Sequence, residues 1–257
     1  MRPTPDLLRA HFETIESLET LLEEDPSQRE QVTEHLDRLD QVTRSFIEPY
    51  RRAIAEGNGR RALLPLLTEG SDSPPSAHSY DHLDSFLAEL LPFDDPGDPV
   101  ALSPDMVFYQ PTPARHAFAF LHAAQLTAND TLIDIGSGLG HVPLLAAITS
   151  DASCMGIEQD MGLVRSATSC AEALHLSRIA FHTEDARDAD FSRGTVFYLY
   201  SPFTGAMLDQ VIERLRLEAA QRPFRIGTLG PCTNVFARQP WLHAASVDEH
   251  RPTLFYT

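Results

Sequence analysis

The chain has 257 residues and a formal charge of −17 at pH 7, from 37 acidic and 20 basic side chains. This length suits one large domain, or one ordinary domain with a substantial extension. The negative charge disfavours nucleic acid and anionic membranes as partners and favours cationic ones. No apolar run approaches the ~20 residues of a membrane span, and no cationic and apolar leader precedes the first helical pattern, so we expect a cytoplasmic protein.

Residue counts exclude further chemistries. The sequence contains no lysine, which excludes a Schiff-base lysine and a phosphate-binding loop of the Walker type. Cys154, Cys170 and Cys232 are odd in number and lack CxxC spacing, which predicts small buried side chains rather than disulfides or a zinc site. Histidine and acidic residues show no metal-ligand spacing, so we predict no metal site.

The first 95 residues have helical periodicity. Apolar residues recur every three or four positions between Leu7 and Leu22, and again between Val32 and Ile47. Two polar, proline-containing segments follow, EGSDSPPSAHS and PFDDPGDPVALSPD. We therefore predict a helical domain over residues 1–95 and a second domain over residues 96–257.

From Asp105 onward, short apolar runs alternate with helical patterns. The runs TLIDIG, ASCMGIEQD, RIAFHTED, TVFYLYSPF and FRIGTLG are typical of strands. Such alternation predicts an α/β fold with a doubly wound, mostly parallel sheet. The last segment, WLHAASVDEHRPTLFYT, holds two strand candidates with no helix between them, which predicts antiparallel pairing. The predicted sheet thus has seven strands, with an antiparallel C-terminal pair.

The turn after the first predicted strand, LIDIGSGLG, places Gly136, Gly138 and Gly140 at alternate positions. Such a turn lets a ligand approach bare backbone at the start of the following helix. Glu158 closes the next strand, where a carboxylate can accept hydrogen bonds from both hydroxyls of a ribose. Asp134 lies two positions before the first glycine, where it would repel a pyrophosphate and suits a ligand that carries an ammonium group.

Taken together, these motifs resemble those of the class I, seven-β-strand S-adenosylmethionine-dependent methyltransferases. GIEQD is similar to the second-strand acid motif of that family, TEDARD to its third-strand motif and YLYSPF to its fourth-strand motif. The resemblance implies S-adenosyl-L-methionine as the cofactor. The cofactor-binding residues that it implies are Gln110, Thr112, Asp134, Gly136, Ser137, Gly138, Glu158, Gln159, Asp185 and Ala186.

The segment VFYQPTPARHAF gives a narrower resemblance, to the DOT1-like lysine methyltransferases and their relatives that modify an ATP-synthase subunit. In that group the segment passes over the cofactor, which implies a position for Tyr109 near the sulfonium. YLYSPF differs from the asparagine-containing motif of the group, and it has Ser201 where amino-group methyltransferases usually have Asn or Asp. The catalytic residues implied are Tyr109, Tyr200 and Ser201.

The implied reaction is methyl transfer to a nitrogen, of either a protein lysine or a small-molecule amine. Residues 1–95 are then expected to cap the acceptor site or to form a homodimer interface. Three alternatives remain at this stage: a small-molecule O-methyltransferase, a catalytically silent S-adenosylmethionine-binding scaffold and an NAD-dependent oxidoreductase.

Overall fold

The computed structural model describes residues 2–67, 80–98 and 101–257. They form two compact units, the first made of 2–67 with 80–92 and the second of 93–98 with 101–257. The predicted loop at 69–79 lies outside the described residues, as do two positions of the second predicted interruption, 99 and 100.

The described part of the first unit is helical. Its helices are α1 (Pro5–Glu24), α2 (Arg29–Ala55), α3 (Gly59–Leu67) and α4 (His82–Leu90). Phe86 of α4 lies at the centre of their packing, with its ring 5.1 Å from that of Tyr50 and 6.3 Å from that of Phe12, both edge to face. All three rings are buried, so aromatic contacts between separate helices stabilise this unit.

The second unit contains a six-stranded sheet. Its strands are β1 (Thr131–Ile135), β2 (Ser153–Glu158), β3 (Ile179–Thr183), β4 (Val196–Tyr200), β5 (Arg225–Leu229) and β6 (Thr253–Tyr256). The strand order is β3-β2-β1-β4-β5-β6, and β6 alone is antiparallel to its neighbour. The predicted mostly parallel sheet with an antiparallel C-terminal pair is therefore confirmed.

The prediction of seven strands is corrected to six for the described residues. The candidate strand that begins at Trp241 makes only one isolated bridge, between His243 and Tyr256. The chain then turns away, because Glu249 O accepts a hydrogen bond of 2.9 Å from the Gly230 N–H at the end of β5. Thr253 Oγ1 also bonds the backbone of Asp248, which closes a tight turn before β6. This path leaves no second ladder for the segment to form.

Helices cover both faces of the sheet. They are α5 (Ala114–Ala124), α6 (His141–Thr149), α7 (Met161–Ala173), α8 (Gly205–Ala219) and α9 (Cys232–Phe236). Successive strand residues point to opposite faces. Phe197 packs in one buried cluster with Leu208 of α8, whereas the next residue, Tyr198, has its ring 4.6 Å from Phe120 of α5. The sheet is thus buried on both sides, which explains its nearly continuous apolar strands.

Two further observations concern the described residues as a whole. None of their helices combines the length and the apolar composition needed to cross a bilayer. Cys154, Cys170 and Cys232 are all buried, as predicted.

Candidate cofactor and acceptor cleft

A cleft of about 650 Å³ lies in the second unit, at the carboxyl ends of β1, β2 and β4. The strand order reverses between β1 and β4, and doubly wound sheets bind ligands at such a switch point. Its volume is within the roughly 300–1,000 Å³ of small-molecule sites. The predicted site residues that line it are Tyr109, Gln110, Thr112, Asp134, Gly136, Ser137, Glu158, Gln159, Ala186, Tyr200 and Ser201.

The turn between β1 and α6 requires glycine. Gly136 and Gly138 have φ of +78° and +55°, a left-handed backbone that other residues rarely adopt. Space is equally restrictive, since a Cβ on Gly136 would lie 2.3 Å from Pro202 Cβ and one on Gly138 would lie 1.9 Å from Tyr109 Cε2. Close approach of two neighbouring segments, and not the turn alone, thus excludes side chains here.

Glu158 binds the backbone around this turn. Its Oε2 accepts a hydrogen bond of 3.0 Å from the Gly138 N–H, and its Oε1 accepts bonds of 2.7 and 2.9 Å from the N–H groups of Gln159 and Asp160. Gly138 is not among the residues that line the cleft, so it contributes by positioning Glu158. The carboxylate is fixed at the cleft surface by three backbone donors.

Asp134 is almost completely removed from solvent, with 4% of its surface exposed, yet its side chain borders the cleft. Burial, and then the nearby charge of Glu158, raise the pKa of its carboxyl well above the usual value. A positively charged ligand in the cleft would favour the ionised form of Asp134. Electrostatics at this end of the cleft therefore favour cations.

Tyr109 and His141 meet above the glycine turn. The Tyr109 hydroxyl lies 3.4 Å from His141 Nδ1, and the His141 ring centroid lies 4.9 Å from that of Phe93. Burial lowers the pKa of His141 to about 4, so the imidazole is neutral at physiological pH. Sequence reasoning did not select His141, because its position at the start of a helix gives no sign that it faces a ligand.

The segment that carries Tyr109 is attached to the loop after β4. The Val107 N–H donates a 3.1 Å hydrogen bond to Pro202 O, and the Thr204 N–H donates a 2.7 Å bond to Asp105 O. Met106 also forms an isolated antiparallel bridge with Phe203. The two segments that the sequence analysis identified as VFYQPTPARHAF and YLYSPF are thus neighbours at one side of the cleft.

The Ser201 hydroxyl is hydrogen-bonded to the backbone. It donates a 3.0 Å hydrogen bond to Leu229 O and accepts one of 3.0 Å from the Cys232 N–H. Ser201 also has φ of +42°, which is uncommon for a residue with a side chain. These bonds connect the ends of β4 and β5 and the start of α9. The adjacent Tyr200 lies at the cleft.

Asp185 is not among the residues that line the cleft. Both of its carboxylate oxygens bind the Arg187 guanidinium, with a shortest distance of 2.6 Å, and the Arg187 hydrogen bond holds the pKa of Asp185 below its usual value. The acid that borders the cleft at this strand end is the preceding residue, Glu184. The motif contains several acids, and only the backbone path decides which of them is directed inward.

One part of the remaining lining is apolar and, apart from Phe203 of the YLYSPF motif, was not predicted from the sequence. These residues are Met106, Phe203, Met207, Leu208, Cys232 and Val235, here called the apolar end. They come from three separate segments, so no local pattern marks them. Among the residues that the structure describes, no three His, Cys, Asp or Glu side chains are grouped as metal ligands would be.

Comparison with solved structures finds an RNA methyltransferase from Salinibacter ruber, in complex with S-adenosyl-L-homocysteine. It is 26% identical over 57% of this chain and 92% of that chain, with a TM-score of 0.44. The chain is similar to S-adenosylmethionine-dependent methyltransferases.

Two further methyltransferases illustrate this similarity. A putative S-adenosyl-L-methionine-dependent methyltransferase from Methanococcus maripaludis is 16% identical over 55% of this chain and 82% of that one, with a TM-score of 0.44. A methyltransferase from Thiobacillus denitrificans, in complex with S-adenosyl-L-homocysteine, is 20% identical over 47% and 50% of the two chains, with a TM-score of 0.38. No family model and no curated protein sequence matches the chain.

Proposed function

We propose that the protein is an S-adenosylmethionine-dependent methyltransferase that methylates an amine nitrogen. One observation carries the proposal: the glycine turn, Glu158 and the buried Asp134 border the same cleft, and Glu158 is bonded to the turn itself. An acid at the end of β2 suits a ribose, and an acid before the turn suits a cationic ligand.

Individual residues that line the cleft can be assigned to parts of this cofactor. Glu158 would hold the ribose hydroxyls, and Gln159 and Ala186 would border the adenine. Asp134 and the backbone of Gly136 would bind the methionine part. Ser137 adds support, because it lines the cleft and its buried Oγ has no hydrogen-bond partner among the described residues.

A dinucleotide is the poorer fit. A pyrophosphate would lie beside the Asp134 carboxyl, which disfavours it. None of the described residues that line the cleft is an arginine, and the chain contains no lysine to neutralise phosphates. These charges argue against an NAD-dependent oxidoreductase.

Methyl transfer asks the protein mainly for alignment and for exclusion of water. When bound, S-adenosyl-L-methionine supplies a methyl group on a positively charged sulfur. Tyr109 and Tyr200 border the cleft and are proposed to orient the acceptor nitrogen, and their ring faces favour entry of a cationic amine. The amine must then lose its proton, because only the lone pair of a neutral nitrogen can take the methyl group. The Ser201 hydroxyl, which the backbone engages, is proposed to position Tyr200 rather than to contact the acceptor.

The helical first unit is proposed to cap the acceptor or to form a homodimer interface.

Calorimetric titration tests the cofactor. We expect S-adenosyl-L-methionine and S-adenosyl-L-homocysteine to bind, and NADH not to bind. Transfer of a radiolabelled methyl group to amines then distinguishes an enzyme from a silent binding protein. Absence of binding by either S-adenosyl compound to the intact protein would refute the whole proposal, whereas binding without transfer to any acceptor would support the scaffold alternative.

A further inference from the structure

The apolar end of the cleft has a fixed surface. Packing sets the positions of three residues here, because all three belong to the buried core cluster: Phe203, and Met207 and Leu208 of α8. The hydrogen bond from the Met207 N–H to Asp105 Oδ2, of 3.2 Å, attaches the start of α8 to the segment before Tyr109. A ligand that enters this end meets a preformed apolar surface.

The apolar character continues to the mouth of the cleft. Leu102, Val107 and Phe108 all line it while remaining exposed, and Phe108 has 72% of its surface in solvent. Exposed apolar side chains that adjoin a cleft are typical of a binding site. The body of the ligand, and not only its reacting atom, is therefore expected to be apolar.

The side chains that can give the cleft a charge at neutral pH are acidic. The carboxyl groups that line it belong to Asp134, Glu158, Asp160 and Glu184. Its basic side chain, His141, is neutral at physiological pH, and no arginine lies among the described lining residues. An anionic acceptor in this cleft would have carboxyl groups beside it and no basic side chain of the described lining to balance its charge, which is unfavourable in a partly buried site.

On the basis of the proposed function, we infer that the methyl acceptor is a small amine carried on an apolar body. The amine lies in the acidic cleft beside the bound cofactor, and the body lies at the apolar end. Phosphate- or carboxylate-bearing acceptors, RNA included, are excluded by the same charges.

Probes that share one body and differ in charge test this inference. The full-length protein, saturated with S-adenosyl-L-homocysteine, is titrated by calorimetry with phenethylamine, phenethyl alcohol, 3-phenylpropionate and a short RNA hairpin. We expect phenethylamine to bind at least about tenfold more tightly than 3-phenylpropionate, the alcohol to lie between them, and the RNA not to bind.

A charge placed at the mouth gives a second test. Leu102→Arg should reduce the preference for phenethylamine over 3-phenylpropionate by about tenfold. Leu217→Arg is the matched control, because Leu217 is similarly exposed on α8 but does not line the cleft. Val107→Arg repeats the test at a second exposed lining residue.

The outcomes separate this inference from the proposed function. Failure of S-adenosyl-L-homocysteine to bind would refute the proposed function itself. If it binds but 3-phenylpropionate or RNA is the preferred ligand, or if no probe binds, the inference is overturned while the cofactor assignment stands. Methylation of a lysine-containing peptide without binding of phenethylamine would likewise overturn the small-molecule assignment.

Discussion

Gly138 and Glu158 lie 20 positions apart in the chain and are joined by a hydrogen bond of 3.0 Å, from the Gly138 N–H to Glu158 Oε2. This bond connects the turn after β1 with the end of β2. The residue proposed to hold the ribose is thus the same residue that fixes the turn beneath the methionine part.

Replacing Glu158 by Ala should weaken binding of S-adenosyl-L-homocysteine by about 1.5–3 kcal/mol, roughly 10- to 150-fold, because hydrogen bonds to a charged group are lost. Calorimetry measures the change. Glu172→Ala is the control, because Glu172 is an exposed acid on α7 outside the cleft. Wild-type affinity in the Glu158 variant would contradict the ribose assignment.

Cofactor binding should release protons through Asp134. Burial raises the pKa of this carboxyl in the free protein, and a bound ammonium group would lower it again, so affinity should increase as pH rises through that range. His141, with a pKa of about 4, should contribute little between about pH 5 and 8. Calorimetry in buffers of different ionisation enthalpy counts the protons, and Asp134→Asn should abolish the release. Unchanged proton release in that variant would assign it to another group.

The same carboxyl should lower the stability of the cofactor-free protein at neutral pH. A folded pKa above the unfolded value gives stability that is complete below about pH 3.8 and is lost as pH rises through the folded pKa. Asp134→Asn removes this pH-dependent loss, so its free energy of unfolding at pH 7 should exceed that of the wild type. Urea denaturation without cofactor checks this, and a less stable variant would show that packing outweighs charge.

Tyr109→Phe keeps the ring beside Gly138 and removes only the hydroxyl that lies near His141. We expect cofactor affinity to stay at the wild-type value and kcat for an amine acceptor to fall about tenfold, the effect of one hydrogen bond made in the transition state. Tyr200→Phe, at the neighbouring lining segment, serves as the comparison. If both variants keep wild-type kcat and KM, the two rings only pack, and the acceptor is held elsewhere.

Ser201→Ala should destabilise the protein by about 1–3 kcal/mol, because the buried partners Leu229 O and the Cys232 N–H lose their hydrogen bonds. Urea denaturation measures this loss. Ser177→Ala, at an exposed serine before β3, should be nearly neutral. A variant with wild-type stability and greatly reduced methyl transfer would instead support the catalytic role implied by the sequence resemblance.

The second unit begins at Phe93, so the chain can be truncated just before this residue. Phe93 packs against His141, and Asp94 O accepts a 2.7 Å hydrogen bond from Ser166 Oγ. A chain of residues 93–257 retains every described residue that lines the cleft, so we expect it to bind S-adenosyl-L-homocysteine. The matched chain 96–257 lacks both contacts and should melt at a lower temperature. Equal melting temperatures would show that these contacts do not stabilise the unit.

The sequence was most informative where the chemistry is local. The glycine turn, Asp134 and Glu158 lie at strand ends, which the apolar runs of the sequence mark clearly. The resemblance to a family predicted that these residues, except Gly140, belong to one site. The parallel sheet followed from the alternation of strands and helices, and the antiparallel C-terminal pairing from the lack of a helix in the last segment.

What the sequence missed depends on the path of the chain in three dimensions. The apolar end of the cleft gathers side chains from segments about 100 residues apart, and His141 looks like an ordinary helix residue until Tyr109 is placed beside it. The predicted seventh strand does not form, because the backbone of Glu249 is hydrogen-bonded to the end of β5. Secondary-structure propensities give no sign of such a contact.

The central strand β1 pairs with a strand that is distant in the sequence. The hydrogen bond from the Thr131 N–H to Thr195 Oγ1, beside the pairing of β1 with β4, joins residues 64 positions apart. Pairings of such sequence separation form slowly, because chain entropy is lost before contacts compensate for it. The crevice between these strands is therefore completed late, and a cofactor that binds there should slow unfolding without speeding folding.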